Sequence, residues 1–86
     1  MAHVDVAPIL ARHLTVPACE VAGETVAEVL EGLFASHDRL RGYVLDDQGG
    51  LRRHIVVFVD GEAVRDLARA VRPTSEVVIM QALSGG

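Results

Sequence analysis

The 86-residue chain contains no lysine, no tryptophan, one cysteine (Cys19) and only three aromatic side chains, Phe34, Tyr43 and Phe58. A single cysteine excludes an internal disulfide framework, so the fold must rest on packing alone. Cys19 itself reads as a small half-buried strand residue rather than a reactive thiol. His3, His13, His37 and His54 stand at no ligand spacing, so no metal is expected. No apolar run approaches the roughly 20 residues that a bilayer-crossing helix needs. No basic-plus-apolar leader opens the sequence either, which makes a cytoplasmic location the expectation, with no membrane partner. Eight arginines face twelve acids, a net charge of −4, and that sign argues against a nucleic-acid partner. The missing lysine removes every side-chain amine through which copies of the chain could be cross-joined.

What is present is aliphatic: half of the residues are hydrophobic, enough for one core in one domain of this size. His3 to Leu10 opens with apolar and polar residues alternating, as in a strand buried on one face. Thr15 to Val21 reads as an edge strand, because Pro17 has no amide to give to a ladder. Thr25-Val26-Ala27-Glu28 is a T-x-x-E capping box. After it Val26, Val29, Leu30, Leu33 and Phe34 fall at helical spacing, predicting an amphipathic helix that ends near Ser36-His37. A second helical turn is expected between Asp38 and Leu45 with Leu40, Tyr43 and Val44 inward. Asp46 to Gly50 is a loop by composition.

His54 to Val59 is a β-branched strand closed by the tight-turn pair Asp60-Gly61, with Glu62 to Val64 returning. Asp66 to Val71 is expected to form a short helical turn, Arg72 to Ser75 a turn, and Val77 to Met80 the last strand. One helix with one apolar face can cover one mixed sheet. The fold class is therefore α+β, a roll with one mixed sheet covered by one main helix. The domain spans residues 1–82, and Leu83-Ser84-Gly85-Gly86 is left as a flexible tail displayed by the last strand.

A terminal carboxyl has a reference pKa of about 3.3–3.7 and is an unreactive carboxylate at neutral pH. It becomes an acyl donor only after activation, for instance as a mixed anhydride with AMP. Gly85 and Gly86 suit that chemistry, since residues without side chains can thread a channel closed to any other pair. A plain frayed terminus is the competing reading. Gly49-Gly50 is a turn, with no phosphate-binding pattern around it. Arg39, Arg41, Arg52 and Arg53 read as a solvated face before a basic patch. Asp46, Asp47, Asp60, Glu62 and Asp66 read equally well as an acidic docking surface or as ordinary solubilising charge. No Ser/His/Asp or paired-carboxylate arrangement suggests an active site.

Gly23-Glu24-Thr25-Val26 at the helix start, Val57-Phe58-Val59-Asp60-Gly61-Glu62 at the hairpin and the terminal Leu83-Ser84-Gly85-Gly86 together resemble a known family. They are similar to the sulfur carriers of the molybdopterin-synthase small subunit and thiamin-biosynthesis type. The resemblance implies a ubiquitin-like β-grasp fold. It implies no bound cofactor and no enzyme activity of the chain itself, beyond service as the small subunit of a synthase complex. It also implies that an ATP-dependent, ubiquitin-activating-like adenylyltransferase acts on Gly86. A sulfur donor would convert the adenylate to a thiocarboxylate, for delivery to a sulfur-accepting synthase subunit. In that picture Gly86 is the acyl and sulfur site, Gly85 gives clearance, and Met80, Phe58 and Leu83 meet the partner. The Asp38–Arg53 insertion resembles the molybdopterin and cysteine-biosynthesis types, whereas Gln81 is closer to the thiamin type. A protein modifier forming isopeptide bonds and an inert β-grasp interaction module are the alternatives.

Overall fold

The computed structural model describes residues 1–7 and 16–82. Five strands form one sheet: β1 (Ala2–Val6), β2 (Cys19–Val21), β3 (Ile55–Val59), β4 (Glu62–Val64) and β5 (Glu76–Gln81), in the order β2-β1-β5-β3-β4. The central β5 runs parallel to β1 and antiparallel to β3, while β1–β2 and β3–β4 are antiparallel. Helix α1 (Val26–Ser36) supplies the cover. The core joins Val4 and Val6 of β1, Ile55, Val57 and Val59 of β3, and Val77 and Ile79 of β5 to Val26, Val29, Leu30, Leu33 and Phe34 of α1. This is the expected α+β roll, with every expected helix-face residue buried.

The capping box forms. Thr25 Oγ1 accepts from the Glu28 amide at 3.2 Å, and Glu28 Oε1 accepts at 2.9 Å from the amide of Glu24, one residue before the cap. One donor that the helix start leaves unpaired, the Glu28 amide, is thereby satisfied, together with the Glu24 amide just outside the cap. Gly23 lies against the same turn: a Cβ there would stand 2.9 Å from the Val29 amide nitrogen. Gly32, midway along α1, faces Val21 so closely that a Cβ would lie 2.6 Å from Val21 Cγ1. The helix can approach β2 only because residue 32 has no side chain.

Three expectations need correction. The strand containing Pro17 begins only at Cys19, because proline interrupts the pairing; β2 is nevertheless an edge strand, as expected. A 3-10 turn (Asp38–Leu40) and helix α2 (Arg41–Val44) form where a second helical turn is expected, and Leu40 and Val44 are buried, but Tyr43 is exposed. Its neighbour Arg41 points back to α1 instead, paired with Glu31 at 2.8 Å and stacked over Phe34.

Residues 66–71 are not helical. The carbonyls of Leu67 and Arg69 accept from the amides of Ala27 and Val26, and the Val71 amide donates to Glu24. The segment closes one turn of its own, the Arg69 amide donating to the Asp66 carbonyl at 3.0 Å. The carbonyls of Leu67 and Arg69 and the amide of Val71 go to the start of α1, so no helix continues from it. The continuations of the first strand through Leu10 and of the second back to Thr15 lie outside the described residues.

Candidate partner face and tail root

A sheet covered by helix on one side leaves its other side to be explained. In β3 the buried residues alternate with Val56 and Phe58, and in β5 with Val78 and Met80. The register sets Val56 opposite Met80 and Phe58 opposite Val78, so these four apolar side chains form one strip on the face away from α1. All four are half-buried, with cross-strand neighbours beside each of them. Ala63 of β4 extends the strip beyond Phe58, and Asp5 of β1 lies beside Val78 on the opposite side. Phe58 and Met80 thus lie on the same face of the sheet, diagonal to each other across β3 and β5.

Val56 and Val78, the other half of the strip, were not among the expected partner residues. The signal was present: Ile55 to Val59 and Val77 to Met80 are apolar at both parities, the pattern of strands covered on both faces. One amphipathic helix can cover only one of them.

The rim of the strip is charged and locally fixed. Asp60, at φ 51°, and Gly61, at φ 86°, make the β3–β4 turn. Glycine and aspartate are among the residues that tolerate this left-handed region. Asp60 Oδ1 accepts from the Glu76 amide at 2.9 Å, and Oδ2 accepts from the hydroxyl of buried Ser75 at 2.8 Å. The Glu76 amide first, then the Ser75 hydroxyl and the Arg72 charge, hold the Asp60 carboxyl below its usual range. Phe58, Asp60, Gly61, Glu76 and Val78 surround a shallow hollow at this end. On the β1 side, His3 pairs with Glu20 at 2.7 Å, and that bond raises the histidine pKa.

The acidic surface considered from the sequence is spent largely on turns. Asp46 accepts from the Gln48 and Gly50 amides, Asp66 from the Ala68 amide, and Glu62 pairs with Arg69. The four-arginine group is likewise divided, with Arg41 on Glu31 and Arg52 Nε on the Gly42 carbonyl. Among the described residues no group of three or more histidine, cysteine, aspartate or glutamate side chains could hold a metal, and no helix is long and apolar enough to cross a membrane. Cys19 is half-buried against the core.

At the other end of the strip β5 reaches Gln81, opposite Ile55. The next residue, Ala82, donates its amide to the His54 carbonyl at 2.7 Å. The sequence then continues as Leu83-Ser84-Gly85-Gly86; the expected site residues Leu83, Gly85 and Gly86 lie outside the described residues. The central strand therefore carries both Met80 of the apolar strip and, two residues on, the root of the tail.

The model of the ThiS family matches residues 14–86. Among solved structures, a chain of the Amycolatopsis orientalis BexX/CysO complex is similar at 27% identity and a TM-score of 0.86, over 100% of both chains. Mycobacterium tuberculosis CysO, described as an antigen, is 26% identical with a TM-score of 0.84, over 96% of this chain and 100% of that one. SAMP1 from Haloferax volcanii is 30% identical with a TM-score of 0.78, over 99% and 98%. No curated protein matches the chain.

Proposed function

The chain belongs to the ThiS family, with a ubiquitin-like sulfur-carrier fold, and from that premise we propose that it carries sulfur as a thiocarboxylate on Gly86. The single observation that carries the reading is continuity. The family match spans the central strand and reaches residue 86, and that strand holds the tail root beside a half-buried apolar strip. The Gly86 carboxylate attacks the α-phosphate of ATP on an activating adenylyltransferase, and pyrophosphate leaves. Sulfide-level sulfur from a donor then displaces AMP from the acyl adenylate to leave the thiocarboxylate. The thiocarboxylate sulfur attacks the acceptor on a synthase subunit, and water cleaves the resulting thioester to restore the Gly86 carboxylate. Gly85 keeps the tail narrow enough for the activating site. Met80 and Phe58 form the patch that both partners meet in turn, and Leu83, which follows the root in the sequence, adds to the contact. The chain itself is a cosubstrate with no active site of its own, ATP is bound by the activating enzyme, and the cycle runs in the cytoplasm.

The modifier reading draws on a different observation, the likeness to SAMP1, whose counterpart structure from the same organism is described as small archaeal modifier protein 1. It shares the activation step and differs in the acceptor, an amine in place of a sulfur donor. The test is ATP–pyrophosphate exchange with the cognate activating enzyme, followed by intact mass spectrometry. Wild type should support exchange and gain the mass of one oxygen-to-sulfur replacement, whereas Gly85→Val should do neither while melting at the same temperature. Equal exchange by the two folded proteins would refute the tail assignment, and isopeptide products in place of thiocarboxylate would select the modifier.

A further inference from the structure

Arg65 follows directly on β4, at the point where that strand stops short of pairing with the start of β3. Its guanidinium donates to three carbonyls at once: Nη1 to Ile55 at 2.6 Å, and Nη2 to Leu51 and Arg52, both at 3.1 Å. The same short segment holds the tail root. The His54–Ile55 peptide presents its carbonyl to the Ala82 amide and its own amide to the Arg52 carbonyl, at 2.7 and 3.0 Å. Arg52 and Ile55, on either side of that peptide, are both held by Arg65. The peptide that orients Ala82 is therefore fixed through two flanking carbonyls by one planar fork of donors.

Three convergent carbonyls need several directed donors, which a guanidinium supplies in fixed geometry and an ammonium supplies only as a point charge. Pairing of β4 would normally satisfy such a strand end, but β4 ends at Val64. Arg65 stands in for the missing rung.

We propose that Arg65 is a positioning residue for the carrier tail, acting through the 51–55 turn to fix the direction in which Ala82 leaves the sheet. The proposal rests on the tail reading for its functional half, and its structural half stands without it. Tail activation depends on bringing one carboxylate to one phosphorus atom, and a misplacement of about 1 Å can cost roughly a hundredfold in rate. A loosened root spreads the approach directions of the tail while the apolar strip, which docks the partner, is unchanged. The consequence is a loss in kcat with KM preserved.

The experiment compares wild type, Arg65→Lys and Arg65→Met in two arms. In the first, amide hydrogen exchange is followed residue by residue. Ala82 should lose protection by about tenfold or more in Arg65→Met, while Ile79 at the centre of β5 changes little; the lysine variant should fall between. In the second arm, ATP–pyrophosphate exchange with the cognate activating enzyme should show kcat reduced by about tenfold in Arg65→Met, with KM for the carrier within about twofold. Equal loss of protection at Ala82 and Ile79, or no loss at either, would overturn the assignment, as would a raised KM at unchanged kcat. A wild-type chain inert in the second arm counts against the tail reading alone, since the first arm decides the role of Arg65 without any enzyme. Should Arg65→Met fail to fold, Arg65→Lys carries both arms.

Discussion

Replacing Gly32 by alanine sets two effects of similar size against each other, and the structure says which wins. Glycine inside a helix is about 0.8–1 kcal/mol less favourable than alanine, so propensity alone favours the substitution. The new Cβ would stand 2.6 Å from Val21 Cγ1. Non-bonded carbons rest at about 3.5–4.0 Å, so roughly 1 Å must be found at this contact. Val21 is buried and β-branched, with few alternative rotamers to offer, and overpacking of this kind costs about 1–3 kcal/mol. The net expectation is a loss of about 1 kcal/mol, which for a domain of this size lowers Tm by about 4–8 °C. In a Val21→Ala background the obstructing methyl is gone. There the same Gly32→Ala change should stabilise, by about 0.8–1 kcal/mol. Thermal and urea melts of the four proteins form a double-mutant cycle whose signature is this reversal of sign. If Gly32→Ala raises Tm equally in both backgrounds, helix and edge strand are not in the contact described.

Two further outcomes follow from the rim and the strip. Because the folded-state pKa of Asp60 lies below its unfolded value of about 3.9, its contribution is present above that pH and is lost as pH falls through the folded pKa. Melting temperature followed from neutral pH down to about pH 2 should therefore fall less steeply in Asp60→Asn, which tolerates the same turn conformation; superimposable slopes would refute the role. Met80→Arg should retain the wild-type circular dichroism spectrum and weaken binding to the activating enzyme by about tenfold or more, because a desolvated interface centre tolerates an unpaired charge poorly. An unfolded Met80→Arg would mean that Met80 belongs to the core.

The sequence was legible where local chemistry and global packing agree. Thr25 and Glu28, and the apolar spacing from Val26 to Phe34, define α1 without reference to anything distant. The Asp60-Gly61 pair likewise makes the turn between β3 and β4 by its own backbone preference. One failure comes from backbone groups claimed from far along the chain. Residues 66–71 look helical until the carbonyls of Leu67 and Arg69 are taken by the start of α1, about forty residues earlier. Tyr43 looks like core until Leu40 and Val44 are seen to fill the space beneath the turn. Arg65 carried no signal of its own, because an arginine after a strand has the same appearance whether it faces solvent or three carbonyls. Its role exists only once β4 has ended too early. The tail was visible as a motif, and a second apolar face was visible as well, in strands apolar at both parities beside a single covering helix.

On the function proposed above, the carrier and the modifier would place the same demands on this fold. Activation requires a carboxylate that travels and a body that does not. Stability comes from the helix-covered face, through Val57, Val77, Ile79 and their partners on α1. The opposite strip of Val56, Phe58, Val78 and Met80 is half-buried and takes no part in that core. The central strand connects the two roles, since β5 contributes to both faces and leads into the tail. What separates a sulfur carrier from a modifier is then the nucleophile offered to the same acyl adenylate. A sulfur donor and an amine compete for one carbonyl carbon, and neither needs any change in residues 1–82. For that reason the distinction must be sought in the product formed at Gly86, and no substitution within the described fold can stand in for that measurement.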